Sequence, residues 1–215
     1  MSEEIKTEEI KIEEEKPKKR KKITCLDLDD CVFDFLGTLL HFYNEKNGTC
    51  VTEFDLKTWD FGGIVVKDAK GNEIKGEDIR KFFKEIEDHG LYAFCPVFLP
   101  AKQAITMLNE WGYKVIFITS RDPKYQKTTE LALAINNIPY YKLIFNWDKC
   151  KVINELSEKF EVIGFCDDKL STVEAVKEKC NLKFNFVASK AHNKDSELKE
   201  GIIRVNNLLE MLRYL

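Results

Sequence analysis

The 215-residue sequence contains no apolar run near the roughly 20 residues that a membrane-spanning helix needs, which excludes such a helix. Its first residues lack the apolar core of a secretory signal, so the expectation is a soluble, cytoplasmic protein. No Cys-x-x-Cys pair occurs. Seven cysteines (25, 31, 50, 95, 150, 166 and 180) are scattered without pattern, as reduced thiols are, and not as a disulfide frame or zinc site. Net charge is nearly absent too: 34 basic and 37 acidic residues leave −3, and no nucleic-acid-binding surface is implied globally. The three histidines, His41, His89 and His192, fall at no metal-ligand spacing and read as surface or core-edge residues.

Hydrophobic residues make up 44%, enough for one good-sized core or a core with an insertion. Residues 1–22 are mostly Glu, Lys, Ile and Thr, too poor in large apolar groups to offset the entropy of ordering. A disordered or frayed leader is expected. It ends in a basic block, residues 16–22, whose composition fits a nuclear-import or polyanion-binding patch as well as a plain solvated leader.

The informative stretch is Ile23-Thr24-Cys25-Leu26-Asp27-Leu28-Asp29-Asp30-Cys31. A β-branched, apolar run of this kind reads as a buried strand. It then delivers Asp27, Asp29 and Asp30 within four residues. Buried like charges repel and lose hydration, so the cluster marks a strand end opening onto water or a cation. Side chains alternate along a strand, which places Asp27 and Asp29 on one face if extended geometry persists. An acidic turn capping the next helix is the plainer reading of these residues alone.

Residues 35–43 read as an apolar helix, and 79–89 as another, with a turn-rich polar stretch at 67–76. From residue 100 onward helices and strands alternate. Helices are expected at 101–111, 125–136, 149–160, 171–179 and 205–215, with strands at 114–118, 142–145, 162–166 and 183–187. That rhythm predicts a doubly wound parallel sheet with helices on both faces. The division expected is a core of residues 23–32 and 97–215, with a mainly helical cap inserted at 33–96.

Three strands end in reactive polar groups: Asp27 and Asp29, Thr119 and Ser120, Asp167 and Asp168. Lys149 opens the helix after a fourth. Polar groups at the same end of several parallel strands are what an α/β active site requires. Each has a bland reading of its own: a helix cap for Thr119-Ser120, a solvated first-turn residue for Lys149, an acidic loop for Asp167-Asp168.

Together these segments resemble the four motifs of the haloacid dehalogenase-like superfamily of phosphatases. Asp27-Leu28-Asp29-Asp30-Cys31 is similar to the first, with Cys31 where Thr or Val is usual. Ile116-Phe117-Ile118-Thr119 looks like the second, Lys149 the third, and Gly164-Phe165-Cys166-Asp167-Asp168 the fourth. Residues 42–48, Trp59-Asp60, Asp34-Phe35 and Asp148-Lys149 resemble the 5′(3′)-deoxyribonucleotidase-like members. The resemblance implies Asp27 as a nucleophile that forms an aspartyl-phosphate and Asp29 as a partly desolvated acid and base. It implies Thr119 and Ser120 on the phosphoryl oxygens and Lys149 offsetting negative charge. Mg²⁺ would lie between Asp27, the Asp29 carbonyl and Asp167, with Asp168 beside it. Phe35 would line the pocket, with Trp59 and Phe61 either packing the cap or stacking on a base. The substrate implied is a small phosphomonoester, a nucleoside monophosphate first. A sugar phosphate, a nucleic-acid phosphate end and a non-catalytic module binding phosphorylated ligands stay open.

Overall fold

Described in the computed structural model are residues 20–56, 58, 61 and 65–215; the expectations for the leader before residue 20 and for Trp59 and Asp60 lie outside them. The chain enters β1 (Lys22–Leu26), then α1 (Phe35–Asn47), β2 (Val65–Lys67), β3 (Glu73–Lys75), α2 (Gly76–Glu87) and α3 (Leu91–Phe94). Thereafter it alternates: α4 (Leu99–Glu110), β4 (Lys114–Thr119), α5 (Gln126–Ile135), β5 (Lys142–Phe145), α6 (Lys149–Ser157) and β6 (Glu161–Asp167). It closes with α7 (Leu170–Lys179), β7 (Phe184–Ala188), β8 (Ile202–Val205) and α8 (Leu208–Met211).

Six strands form one parallel sheet in the order β5-β4-β1-β6-β7-β8, the doubly wound Rossmann-like architecture expected. The chain fills the β4 and β5 side of β1 first, then crosses to β6, β7 and β8. Strand β1 therefore lies where the winding reverses, and in open sheets the ligand crevice opens at the carboxyl ends of such strands.

Both faces of β1 are covered. On one, Leu26 packs with Val115 and Phe117 of β4 and Ala104, Ile105 and Leu108 of α4. On the other, Ile23 and Cys25 meet Ile116 and Ile118 with Val152 of α6 and Val173 of α7. Burial on two faces explains the unbroken apolar runs in these strands. Each large side chain so buried contributes roughly 1.5–3 kcal/mol. In β6, Gly164 sits beside a register shift against β1, and a Cβ there would come within 3.2 Å of the Phe184 carbonyl oxygen.

Between β1 and α4 a separate cluster forms around Leu39, Leu56, Ile79 and Leu91. Two departures from expectation stand out. The polar stretch at 67–76 contains part of an antiparallel hairpin, β2 with β3. Asp68 makes its turn by accepting the Lys70 and Asn72 N–H groups at 3.0 and 2.8 Å, and its other oxygen takes the Cys50 N–H at 2.9 Å. At the C-terminus the helix expected over 205–215 shrinks to one helical turn, and a strand for which no element was expected precedes it. Ile202-Ile203-Arg204-Val205 carries the β-branched composition of a strand, and it pairs with β7. Asn207 then caps the short α8 through Leu209 and Glu210 N–H.

Candidate active site

Register places the acids. Leu26 pairs with both Phe117 and Cys166, so Asp27 and Asp167, one residue further on, lie level on neighbouring strands. The Asp27 N–H continues the ladder to the Cys166 oxygen at 2.9 Å. Lys149 reaches between them from the first turn of α6. Its Nζ lies 2.5 Å from Asp27 Oδ1 and 2.6 Å from Asp167 Oδ2, all three side chains being buried. A short tether aims it there: Asn146 N–H bonds the Thr119 oxygen, Asn146 Oδ1 accepts the Asp148 N–H, and Asp148 caps α6. Burial opposes the lysine charge, yet Asp167 and Asp27 raise its pKa above the ordinary lysine value. Burial raises the Asp27 pKa in turn, with the Lys149 ammonium pulling against it. Lys149 is therefore the fixed cation of this buried group.

Asp29 does not share that cluster. Strand geometry stops at Leu26, and Asp30 turns the chain with φ 56°, a conformation that aspartate tolerates better than most residues. Asp29 is instead gripped by Arg121, whose Nε lies 3.0 Å from Oδ2 and whose Nη2 lies 2.5 Å from Oδ1. The Arg121 side chain is 1% exposed and that of Asp29 25%. Arg121 also donates to Thr129 Oγ1 at 3.1 Å and lies under the Tyr92 ring at 4.0 Å. So the expected pairing of Asp27 with Asp29 on one face gives way to two separate ion pairs. Asp30 turns inward, accepts the Leu36 N–H at 3.0 Å, and is pushed up to about 8 by burial and by Asp168.

The fourth acid, Asp168, has a different surrounding. Carboxylate oxygens of Asp27 and Asp168 and the Cys31 sulfur all lie within 4.8 Å of one another, the one such group among the described residues. Asp168 Oδ2 is buried without a hydrogen-bond partner. His192 Nε2 lies 3.2 Å from that oxygen, but its hydrogen bond runs to the Asp168 main-chain oxygen. Asn193 donates to the same carbonyl at 2.6 Å. Burial and Asp167 raise the Asp168 pKa, and burial lowers that of His192. Two buried carboxylates, one with an orphaned oxygen, fit a hard divalent cation. Asp167, expected as a ligand, has its oxygens engaged by Lys149 Nζ and by the Lys169 N–H at 2.8 Å. The carboxylate that joins Asp27 is Asp168.

The remaining candidates are spread along the crevice. Thr119 is fully buried at the end of β4, where its Oγ1 accepts the Arg121 N–H at 3.2 Å. Ser120 follows it and is exposed. Phe35 lies at the seam between the sheet's core and the inserted segment, edge-on to Phe83 and stacked on Tyr92. Phe61 packs against the inserted cluster. Sequence reasoning missed two residues. Arg121 was signalled only by an arginine directly after the Thr-Ser strand end. His192, read as a surface or core-edge residue, stands against Asp168 because Asn193 staples its loop to the end of β6, a contact with no local sequence signal.

No protein-family model matches this sequence, and no curated protein matches it. Solved structures do. A dehalogenase superposes with a TM-score of 0.56 at 9% identity, over 90% of this chain and 96% of that one. A magnesium-bound Bacillus subtilis protein assigned as a HAD-hydrolase gives 0.54 at 14%, over 91% and 98%. The D,D-heptose 1,7-bisphosphate phosphatase of Burkholderia thailandensis gives 0.51 at 14%, over 89% and 99%. At these identities the likeness is one of architecture: this chain has the fold of the haloacid dehalogenase-like hydrolases.

Proposed function

We propose that this protein is a Mg²⁺-dependent phosphomonoesterase that acts through an aspartyl-phosphate, with nucleoside monophosphates as its substrate class. The observation that carries the reading is the position of Asp27: a buried carboxylate at the winding reversal, with a lysine on one oxygen and a second buried carboxylate nearby, one oxygen of which takes no hydrogen bond. Magnesium-bound and phosphatase structures of the same fold support it.

Each role follows from what the group can do. Lys149 holds Asp27 Oδ1, and Oδ2 is the nucleophile we assign, attacking phosphorus in line with the leaving oxygen. Lys149 and the main chain at Thr119 and Ser120 would counter the negative charge of the phosphoryl oxygens, which four nearby carboxylates otherwise repel. Asp29 would pass a proton to the leaving alkoxide and later take one from the attacking water. Arg121 fixes the direction of that carboxylate. Asp27, Asp168 and the Asp29 carbonyl would hold the Mg²⁺, which when bound supplies charge neutralisation at the phosphoryl group. Residues 33–96 act as the cap, and Phe35 at its seam would meet the leaving group.

A generic aryl phosphate with and without Mg²⁺, followed by a panel of monophosphates, tests the proposal. Turnover that needs Mg²⁺ and favours nucleoside monophosphates is expected. Phe35→Ala should raise KM for those about tenfold, a ~1.4 kcal/mol loss, and spare the aryl phosphate. No hydrolysis of any phosphomonoester would refute the enzyme reading. Hydrolysis without nucleotide preference would leave only the phosphatase.

A further inference from the structure

Cys31 is the odd member of the carboxylate locus. It stands four residues after Asp27, buried, with its sulfur within 4.8 Å of both the Asp27 and Asp168 carboxylates. A hydrophobic or hydroxyl side chain there would leave an all-oxygen site; a thiol makes it mixed. Ligand atoms about 2.0–2.3 Å from one tetrahedral zinc ion lie about 3.3–3.8 Å apart, so this trio closes on a cation with shifts of up to about an ångström. Asp168 Oδ2 is buried and takes no hydrogen bond, with His192 Nε2 3.2 Å away, an independent sign that this carboxylate can take a further partner. Cys166, fully buried and next to Asp167, adjoins Cys31, and the two form no disulfide.

We propose that Asp27, Cys31 and Asp168 form a mixed oxygen and sulfur site that takes a thiophilic divalent cation of the zinc, cobalt or cadmium class, with the Cys31 sulfur as a direct ligand. Sulfur ligands favour these ions, whereas Mg²⁺ accepts oxygen almost alone. As the metal–sulfur bond forms, the Cys31 thiol proton passes to solvent; nothing is oxidised or reduced. The site shares Asp27 and Asp168 with the proposed Mg²⁺ position. It therefore rests on that placement but not on hydrolysis, and a thiophilic ion bound there competes with Mg²⁺.

Titrating the full chain with Co²⁺ reads this directly, because a cobalt–thiolate bond gives a charge-transfer band in the near ultraviolet. One saturating equivalent is expected, with the band reversed by chelator and by a large excess of Mg²⁺. Cys31→Ser should abolish it and weaken Co²⁺ binding at least about tenfold, the loss that even a partner outside the ligand shell brings, while Cys150→Ser should keep it. Should Cys31→Ser not fold by circular dichroism, Cys31→Thr serves as the second variant. Absence of the band, its survival in both Cys31 variants, or indifference to Mg²⁺ would each overturn the proposal. Mg²⁺-dependent hydrolysis without the band would sink this inference alone, and the band without hydrolysis would sink the phosphatase reading alone.

Discussion

Arg121 holds both carboxylate oxygens of Asp29, with Nε 3.0 Å from Oδ2 and Nη2 2.5 Å from Oδ1, although 92 residues separate them. The same guanidinium lies against the Tyr92 ring of the inserted segment. One side chain thus ties the acid after β1, the end of β4 and the inserted helices together. Its planar fork is what makes the grip directional, and lysine cannot reproduce it.

Arg121→Lys should therefore keep the positive charge and lose the direction. Turnover is expected to fall by about tenfold to a hundredfold, the scale of an ångström-sized misplacement. Steady-state kinetics with a good and a poor leaving group check this. The poor leaving group should suffer more, since it depends on the Asp29 proton. Equal, small losses would mean that Arg121 serves only packing.

Lys149→Met leaves Asp27 and Asp167 buried without their shared cation. Breaking a buried pair by removing one partner costs about 3–5 kcal/mol. Thermal unfolding should show a clearly lower Tm, and hydrolysis should vanish. An unchanged Tm would contradict the account of Lys149 as the fixed cation of the site.

Asp27→Asn should act the opposite way on stability. Burial raises the Asp27 pKa, so the charged form is the strained one and a neutral isostere is tolerated. The Tm is expected to hold or rise while turnover disappears, because an amide forms no acyl phosphate. Retained turnover in this variant would end the covalent mechanism.

Asp68 predicts a pH effect in the inserted segment. Burial by itself would raise its pKa, but the Asn72 side chain and the Asn72 and Cys50 N–H groups overcome that and hold it near about 2. A carboxylate lowered in the folded state adds stability above its unfolded pKa and loses it as pH falls through the folded one. The intact chain should thus lose stability between about pH 4 and 2. Asp68→Asn should be less stable at pH 7, since its amide would face the Cys50 N–H or the Asn72 donors, and the gap should narrow toward pH 2. Tm measured across that range for both proteins decides it; a constant gap would rule out the charge as cause.

The sequence by itself determined what is local. Apolar runs set β1, β4, β5 and β6, helical periodicity set α4 to α7, and acids at strand ends marked the crevice edge, because strand ends in a two-sided sheet are where charge can be placed. The β8 run carries the same signal, but no element is expected over it and only its last residue, Val205, falls in the helix expected at the end. Tertiary structure alone decided which acid meets which cation. The sharp turn at Asp30 sends Asp29 to Arg121 instead of leaving it beside Asp27. Lys149 takes up Asp167, leaving Asp168 to face Asp27 and Cys31. These pairings join residues 18 to 141 positions apart in the chain, and no period or propensity encodes them. They follow from strand register and from the few ångströms over which a buried charge must find its partner.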